Sequence, residues 1–288
     1  MWIEALLRRL PRALRRSFRT VLYLPIDLRD ALAGRRDPLV PPRGASAVGE
    51  GEFRAVGEEF LRHFREIGGL EPGHRVLDVG CGIGRMAVPL TGYLDGHGSY
   101  EGFDVSREGI AWCRRAISRR FSRFRFLHAD VANSEYNPGG RIAPGGFRFP
   151  YPDASFDFVI ATSVFTHLLP DAAARYLAEI CRVLAPGGRA FATAFLLSVE
   201  ARDAINRSGT NYRFTSAIPG AFIHDTAAPE SAVAYEEAEF LRVLRDAGLS
   251  LRGDFHRGTW PGRSGPSFQD IVVADRRPGP KAGEGREG

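Results

Sequence analysis

From residue 53 onward the apolar positions switch between two periods. FRAVGEEFLRHFREI, residues 53–67, repeats at three and four residues, the spacing of an amphipathic helix, whereas VLDVG is a short apolar run that closes in a turn. The alternation continues through a helix RMAVPLTGYL, strand SYEGFDV, helix EGIAWCRRAIS, strand FRFLHAD, a long loop and strand FDFVIATSVF. Helix AAARYLAEICRVL, strand GRAFATAFLL, an irregular segment, helix EEAEFLRVLRDAGL and strands near 250–257 and 269–275 complete it. Short apolar strands alternating with amphipathic helices predict an α/β chain of βαβ units, with a parallel sheet covered on both faces. Ligands of such sheets sit beyond the carboxyl ends of the strands, at the point where the strand order reverses.

The pattern before residue 53 is different. Ile3, Leu6, Leu7, Leu10, Leu14, Phe18 and Val21 recur at helical spacing, with Arg8, Arg9, Arg12, Arg15, Arg16 and Arg19 on the opposite side. This predicts a basic amphipathic helix within residues 1–33, interrupted by Pro11 and ended by Pro25. Two readings stand for it. One is a peripheral membrane contact through residues 1–24; the other is a helix whose apolar side packs on the domain while its arginines are solvated. A transit peptide is disfavoured by Glu4 and by the scarcity of serine. A Gly- and Pro-rich linker, 34–51, leads into one domain, 52–277, with an insertion at about 195–235. The tail, 278–288, is rich in Gly and Pro and predicts disorder.

Composition narrows the classes. A charged fraction of 25% beside 44% hydrophobic residues is that of an ordinary globular protein and excludes a disordered or collagen-like chain. No apolar run is long enough to span a bilayer and the first residues form no signal-peptide core, so the reading is a cytoplasmic protein, membrane-associated if the first helix anchors it. The net charge of +5 arises wholly within residues 1–20, where six arginines face one glutamate, so the rest is neutral overall. That distribution speaks against a nucleic-acid partner. Cys81, Cys113 and Cys181 are widely spaced and odd in number, which suits reduced thiols and predicts no metal site.

The segment VLDVGCGIGR carries the first candidate chemistry. It nearly matches the dinucleotide fingerprint G-x-G-x-x-G, but Arg85 follows the third glycine and Asp78 stands two residues before the first. A carboxylate there repels a pyrophosphate and attracts an ammonium group, so the loop suits a nucleoside cofactor with a cationic tail, such as S-adenosylmethionine. Asp104 ends the second strand, 20 residues after Gly84, where an acidic side chain accepts from ribose hydroxyls. Asp130 ends the third, placed to accept from an adenine amino group beside the Val131 amide. Singly, each aspartate also reads as a turn or capping residue; three at successive strand ends favour a site.

VLDVGCGIGR, EGFDVS, FLHADVAN, FDFVIATSVFTHLLPD and LAEICRVLAPGGRAFATAF, in this order, resemble the motifs of class I S-adenosylmethionine-dependent methyltransferases over about residues 53–200, extending to about 275. The resemblance implies a Rossmann-like, seven-stranded, mostly parallel sheet with helices on both faces and an antiparallel last strand, FQDIVVAD. It implies a cofactor set of Asp78, Gly80, Cys81, Gly82, Gly84, Asp104, Val105, Asp130, Val131, Ser163 and Val164, in which Cys81 has no chemistry of its own. Asp78, Gly80 and Gly82 would hold the methionine end, Asp104 the ribose, Asp130 and Val131 the adenine, with Ser163 and Val164 near the methyl group.

Methyl transfer to an alcohol requires a base in hydrogen-bond reach. His167, after the fourth strand, is the first candidate, with a structural role in holding its loop as the alternative. His224, in the insertion, is the second. Tyr212, Phe214 and Phe222 are candidates for the acceptor pocket, or for a simple surface excursion. The implied function is methylation of a small-molecule acceptor, foremost the hydroxyl of a sugar, glycolipid or secondary metabolite. The rivals are a membrane quinone or lipid methyltransferase, a nicotinamide-dependent oxidoreductase, which Arg85 and Asp78 disfavour, and a non-catalytic cofactor-binding module.

Overall fold

In the computed structural model, residues 12–44, 53–208, 210 and 212–277 are described. The first part of the predicted basic helix, with Pro11, and the tail 278–288 lie outside them. The strands are β1 (Arg75–Val79), β2 (Ser99–Asp104), β3 (Phe124–His128), β4 (Phe156–Ala161), β5 (Leu184–Leu197), β6 (Ser216–Ile218), β7 (Ala221–Ile223), β8 (Val233–Glu236), β9 (Leu249–Leu251) and β10 (Asp270–Arg276). The helices are α1 (Arg12–Leu32), α2 (Phe53–Glu66), α3 (Ala87–Tyr93), α4 (Arg107–Cys113), α5 (Pro170–Val183), α6 (Val199–Ser208) and α7 (Glu237–Asp246).

The sheet is mixed and has ten strands, not the seven predicted. Strands β3, β2, β1, β4 and β5 lie side by side in parallel. The strand β10 runs antiparallel to β5, pairing Asp270 with Ala194 through Asp275 with Arg189, and β9 is antiparallel to β10. The additional strands come from the segment read as irregular. With 14 residues, β5 reaches beyond β10 and pairs Phe195–Leu197 in parallel with β8, which continues antiparallel into β7 and β6.

The strand order turns back at β1, whose neighbours are β2 and β4, so the crevice of the fold lies where β1 and β4 end. Alternation along each strand divides the core. Leu77, Val79, Val159 and Ala161 enter one cluster, and Val76, Phe158, Ile160 and Tyr100 the other. The two-residue period places Asp78 on the second, apolar face.

Two expectations about the N-terminal region are corrected. Pro25 lies inside α1, not at its end; it is exposed, where the lost hydrogen bond and the local bend meet no packed neighbour. The first part of the linker is docked on the domain. Leu39 and Val40 pack on the second core cluster, Asp37 pairs with Arg54, and Arg43 reaches Asp27 and Asp30 of α1, at 2.9 Å each.

Candidate functional site

The turn after β1 contains three glycines with positive φ, 73° at Gly80, 56° at Gly82 and 79° at Gly84. Their surroundings differ. A Cβ on Gly80 would stand 2.7 Å from Val164 Cγ2, and one on Gly84 would stand 2.7 Å from Ile117 Cδ1, so these two are required by packing. A Cβ on Gly82 would meet nothing within 4 Å: this glycine borders open space, a cradle for another molecule. Asp104 ties the loop down, its Oδ2 accepting from the Gly82 amide at 2.8 Å and its Oδ1 from the Ser106 amide at 2.7 Å.

Beneath the loop, Asp78 is buried and holds one donor. The hydroxyl of Tyr100, diagonally across the β1–β2 ladder on the same face, donates to Oδ2 at 2.5 Å, and Oδ1 has no partner. Burial, opposed by the Tyr100 bond and reinforced by the charge of Asp104, pushes the Asp78 carboxyl up to about 7. Burial also pushes Asp104 up. Two adjacent carboxylates short of positive charge, one with an orphaned oxygen, fit a cationic donor group.

A cleft of about 240 Å³ follows the ends of β2 and β3, lined by Val105, Ser106, Arg107, Glu108, His128, Asp130, Tyr136 and Asn137. Asp130 is engaged differently from the expectation. Arg141 Nε donates to it at 2.6 Å and Asn137 Nδ2 at 3.3 Å, and Arg141, as the leading cause, draws its carboxyl below the usual range. Its neighbour Val131 is buried and its carbonyl accepts from Asn137 at 3.0 Å.

At the end of β4, Ser163 has φ 57°, a left-handed conformation costly for a residue with a side chain. A network holds it there. The Ser163 amide donates to Thr193 Oγ1 at 2.8 Å, while Ser163 Oγ (3.1 Å) and Thr193 Oγ1 (2.5 Å) both donate to Gln269 Oε1. The next residue, Val164, closes over Gly80, so the ends of β1 and β4 are in contact.

His167 ends the short turn Phe165–His167. The buried hydroxyl of Tyr235 pins that turn, lying 3.0 Å from the carbonyl of Phe165 and 2.5 Å from that of Leu168. His167 Nδ1 is 2.9 Å from the Glu230 carbonyl, which only accepts, so Nδ1 carries the proton and Nε2 presents its lone pair toward Tyr136 Oη, 3.5 Å away. Glu230 Oε2 accepts from the Ser134 amide at 2.6 Å, so the β3–β4 loop and the insertion meet over His167.

The remaining candidates lie in the insertion. His224 is exposed at the end of β7, its Nδ1 accepting from the Arg213 amide at 3.3 Å. Phe214 is buried, and Tyr212 and Phe222 are half-buried, in a third cluster built on Phe195 and Trp260, so the three pack into the core of the insertion. Tyr212 and Phe214 have ring centroids 5.0 and 5.3 Å from that of Phe195, and the Arg202 guanidinium covers Phe222 at 4.6 Å. Sequence reasoning missed Tyr100, Thr193, Tyr136 and Glu230, whose roles depend on partners far along the chain, and passed Gln269 without a role. The alternation that put Tyr100 on the face of Asp78 was the one available signal.

Residues 77–192 match the family model described as a methyltransferase domain. Over 116 residues the chain is 36% identical to phthiotriol/phenolphthiotriol dimycocerosates methyltransferase 1 of Mycobacterium ulcerans, covering 40% of this chain and 35% of that protein. Over 147 residues it is 33% identical to sterol 24-C-methyltransferase ERG6B of Gibberella zeae, covering 49% and 33%. The chain thus spans about a third of the length of these relatives. Among solved structures, the PH0226 protein of Pyrococcus horikoshii shares the fold at 16% identity and TM-score 0.54, over 81% of this chain and 95% of that one. So does the [4+2]-cyclase SpnF, at 18% identity and TM-score 0.51, over 92% and 97%.

Proposed function

We propose that this chain, whose residues 77–192 match the family model of a methyltransferase domain, is an S-adenosylmethionine-dependent methyltransferase acting on a small molecule. The observation that carries the reading is the buried Asp78, with its unpartnered Oδ1, beneath a loop whose Gly82 borders open space. Asp78 would hold the ammonium of the methionine end and Gly80 and Gly82 its backbone. Asp104 keeps lone pairs that would accept from the ribose, and Val105, Asp130 and Val131 would flank the base. Ser163 and Val164 would face the reacting end. When bound, the cofactor would supply a methyl carbon on a sulfonium sulfur, open to in-line attack in which the new bond to the acceptor forms as the thioether leaves with the carbon–sulfur electron pair.

The chain's own contribution is positioning and one proton transfer. His167 Nδ1 is fixed as a donor by the Glu230 carbonyl, so Nε2 carries the lone pair that would take the proton of an acceptor hydroxyl, in exchange for its contact with Tyr136. The acceptor we propose is a hydroxyl on a sugar, glycolipid or secondary metabolite. Two further relatives support an oxygen acceptor, O-methyltransferase cnsE of Penicillium expansum and a fatty-acid O-methyltransferase of Mycolicibacterium smegmatis.

Because a [4+2]-cyclase shares the fold, binding and turnover need separate tests. Calorimetric titration with S-adenosylmethionine tests the first, and a folded sample that does not bind overturns the proposal. Formation of S-adenosylhomocysteine with a panel of glycosides, glycolipids and aromatic alcohols tests the second. Binding without turnover on every member would leave a cofactor-binding module. For His167→Gln, turnover should fall about 10²-fold or more with cofactor affinity unchanged; unchanged turnover removes His167 as the base.

A further inference from the structure

Helix α1 presents its apolar side to solvent. Val21, Leu24, Leu28 and Leu32 are exposed at 71, 59, 57 and 82%, spaced by three, four and four residues so that they form one stripe, with Phe18 and Leu22 exposed beside it. The opposite side faces the segment that follows the helix. There Asp27 is buried, and Asp27 and Asp30 are both bound by Arg43. The helix is therefore oriented with its carboxylates inward and its leucines outward, the reverse of a helix that packs its apolar face on a core.

An arginine-lined cleft borders the same stripe. It has a volume of about 700 Å³ and is lined by Ala31 of α1, by Arg36, and by Trp112, Arg115, Arg119 and Arg120 of α4 and the turn after it. Ala31 follows Leu24 by seven residues, an angular offset of about 20° on the helix, so the cleft opens along the edge of the leucine stripe. Arg115 stacks over the Trp112 ring at 5.4 Å and Arg120 donates to the Ala116 carbonyl at 2.8 Å. Among the described residues no carboxylate pairs with any of the four arginines.

We infer that the chain docks on an anionic lipid surface through this stripe of α1, with the arginines of the adjoining cleft at the level of the headgroups. The charge pattern selects that occupant. An apolar stripe edged by arginines that no described carboxylate neutralises fits a layer of hydrocarbon beneath a layer of phosphate. A second copy of the chain fits less well, since pairing two such helices would bring the arginines of two adjoining clefts toward each other with no described carboxylate between them. No helix among the described residues is long and apolar enough to cross a membrane, so the contact is interfacial. It is independent of the reaction proposed above.

Co-sedimentation of the full chain with vesicles of phosphatidylglycerol and phosphatidylcholine, against phosphatidylcholine alone, tests the inference. The chain should bind the anionic vesicles selectively and release as salt is raised. Leu24→Glu with Leu28→Glu should weaken that binding by at least ~10-fold, and Arg115→Gln with Arg119→Gln by about fivefold per charge. All four side chains are exposed, so the variants should fold, as circular dichroism will show. Failure to bind anionic vesicles, equal binding to neutral ones, or undiminished binding by the double-glutamate variant overturns the inference. A dimer in light scattering that this variant dissociates, with no vesicle binding, overturns it in favour of a second copy.

Discussion

Two carboxylates are buried at opposite ends of this fold's wiring, Asp78 at the end of β1 and Asp270 at the start of β10, and they are treated in opposite ways. Asp270 receives four donors. The Leu196 amide (2.9 Å) and Trp260 Nε1 (2.7 Å) reach Oδ2, and the Gly258 amide (2.8 Å) and Arg263 Nη2 (2.7 Å) reach Oδ1, so its charge is matched and both oxygens are used. Asp78 receives only the Tyr100 hydroxyl. A buried group that is fully satisfied joins pieces of structure, here the loop of Gly258, Trp260 and Arg263, β5 and β10. A buried group left half-satisfied costs stability, and the compensation is sought in a ligand.

The contrast is broken most severely at Asp270. Asp270→Ala strands a largely buried guanidinium, an indole N–H and two amides, and should destabilise the chain by about 3–5 kcal/mol in urea unfolding. At Asp78 the sign reverses. Asp78→Asn should stabilise the ligand-free chain above about pH 7 by a few kcal/mol, the order of the cost of ionising this group there, while weakening S-adenosylmethionine binding by about 100-fold.

The pH dependence has the same origin. The folded carboxyl titrates near 7, above the 3.8 of an unperturbed aspartate, so between these values the folded chain holds a proton that the unfolded chain has released. The Asp78 contribution to stability is therefore complete below about pH 4 and is lost as pH rises to about 7, at up to ~1.4 kcal/mol per unit. Comparing unfolding of the parent and Asp78→Asn across this window isolates that slope. Tyr100→Phe removes the one donor and should cost about 1–2 kcal/mol above pH 7 while raising the Asp78 midpoint further. The smallest effect belongs to Arg141→Ala. Its solvent-screened pair with Asp130 should contribute little to stability, and freeing Asp130 should change cofactor affinity by a few-fold at most.

The half-satisfied aspartate was legible in the sequence and the satisfied one was not. Asp78, the glycines and Asp104 lie within one strand, turn and helix repeat, where period and spacing carry the chemistry. Asp270 draws a donor from Leu196, 74 residues away, and its other partners sit in a loop with no period of its own. The same distance hid the Ser163, Thr193 and Gln269 network. In the insertion, three-residue strands such as Ser216–Ile218 are too short for alternation to appear. Its aromatic residues read equally as pocket or core until Phe195 and Trp260 are placed against them. The parallel sheet was readable because its central strands, β1 and β4, are apolar on both faces. The paired edge from β5 to β8 was not, since it depends on how far one strand extends.

The most direct test titrates S-adenosylmethionine into the parent chain and into Asp78→Asn by calorimetry at several pH values on either side of about 7. The parent should bind with affinity that rises as Asp78 ionises, releasing a proton on binding at the acidic side, until the amine of the ligand loses its own proton near ~8. The variant should bind about 100-fold more weakly and without that rise. Equal affinities, or a parent affinity that does not change with pH, would contradict the assignment of Asp78 as the anchor of the cationic end.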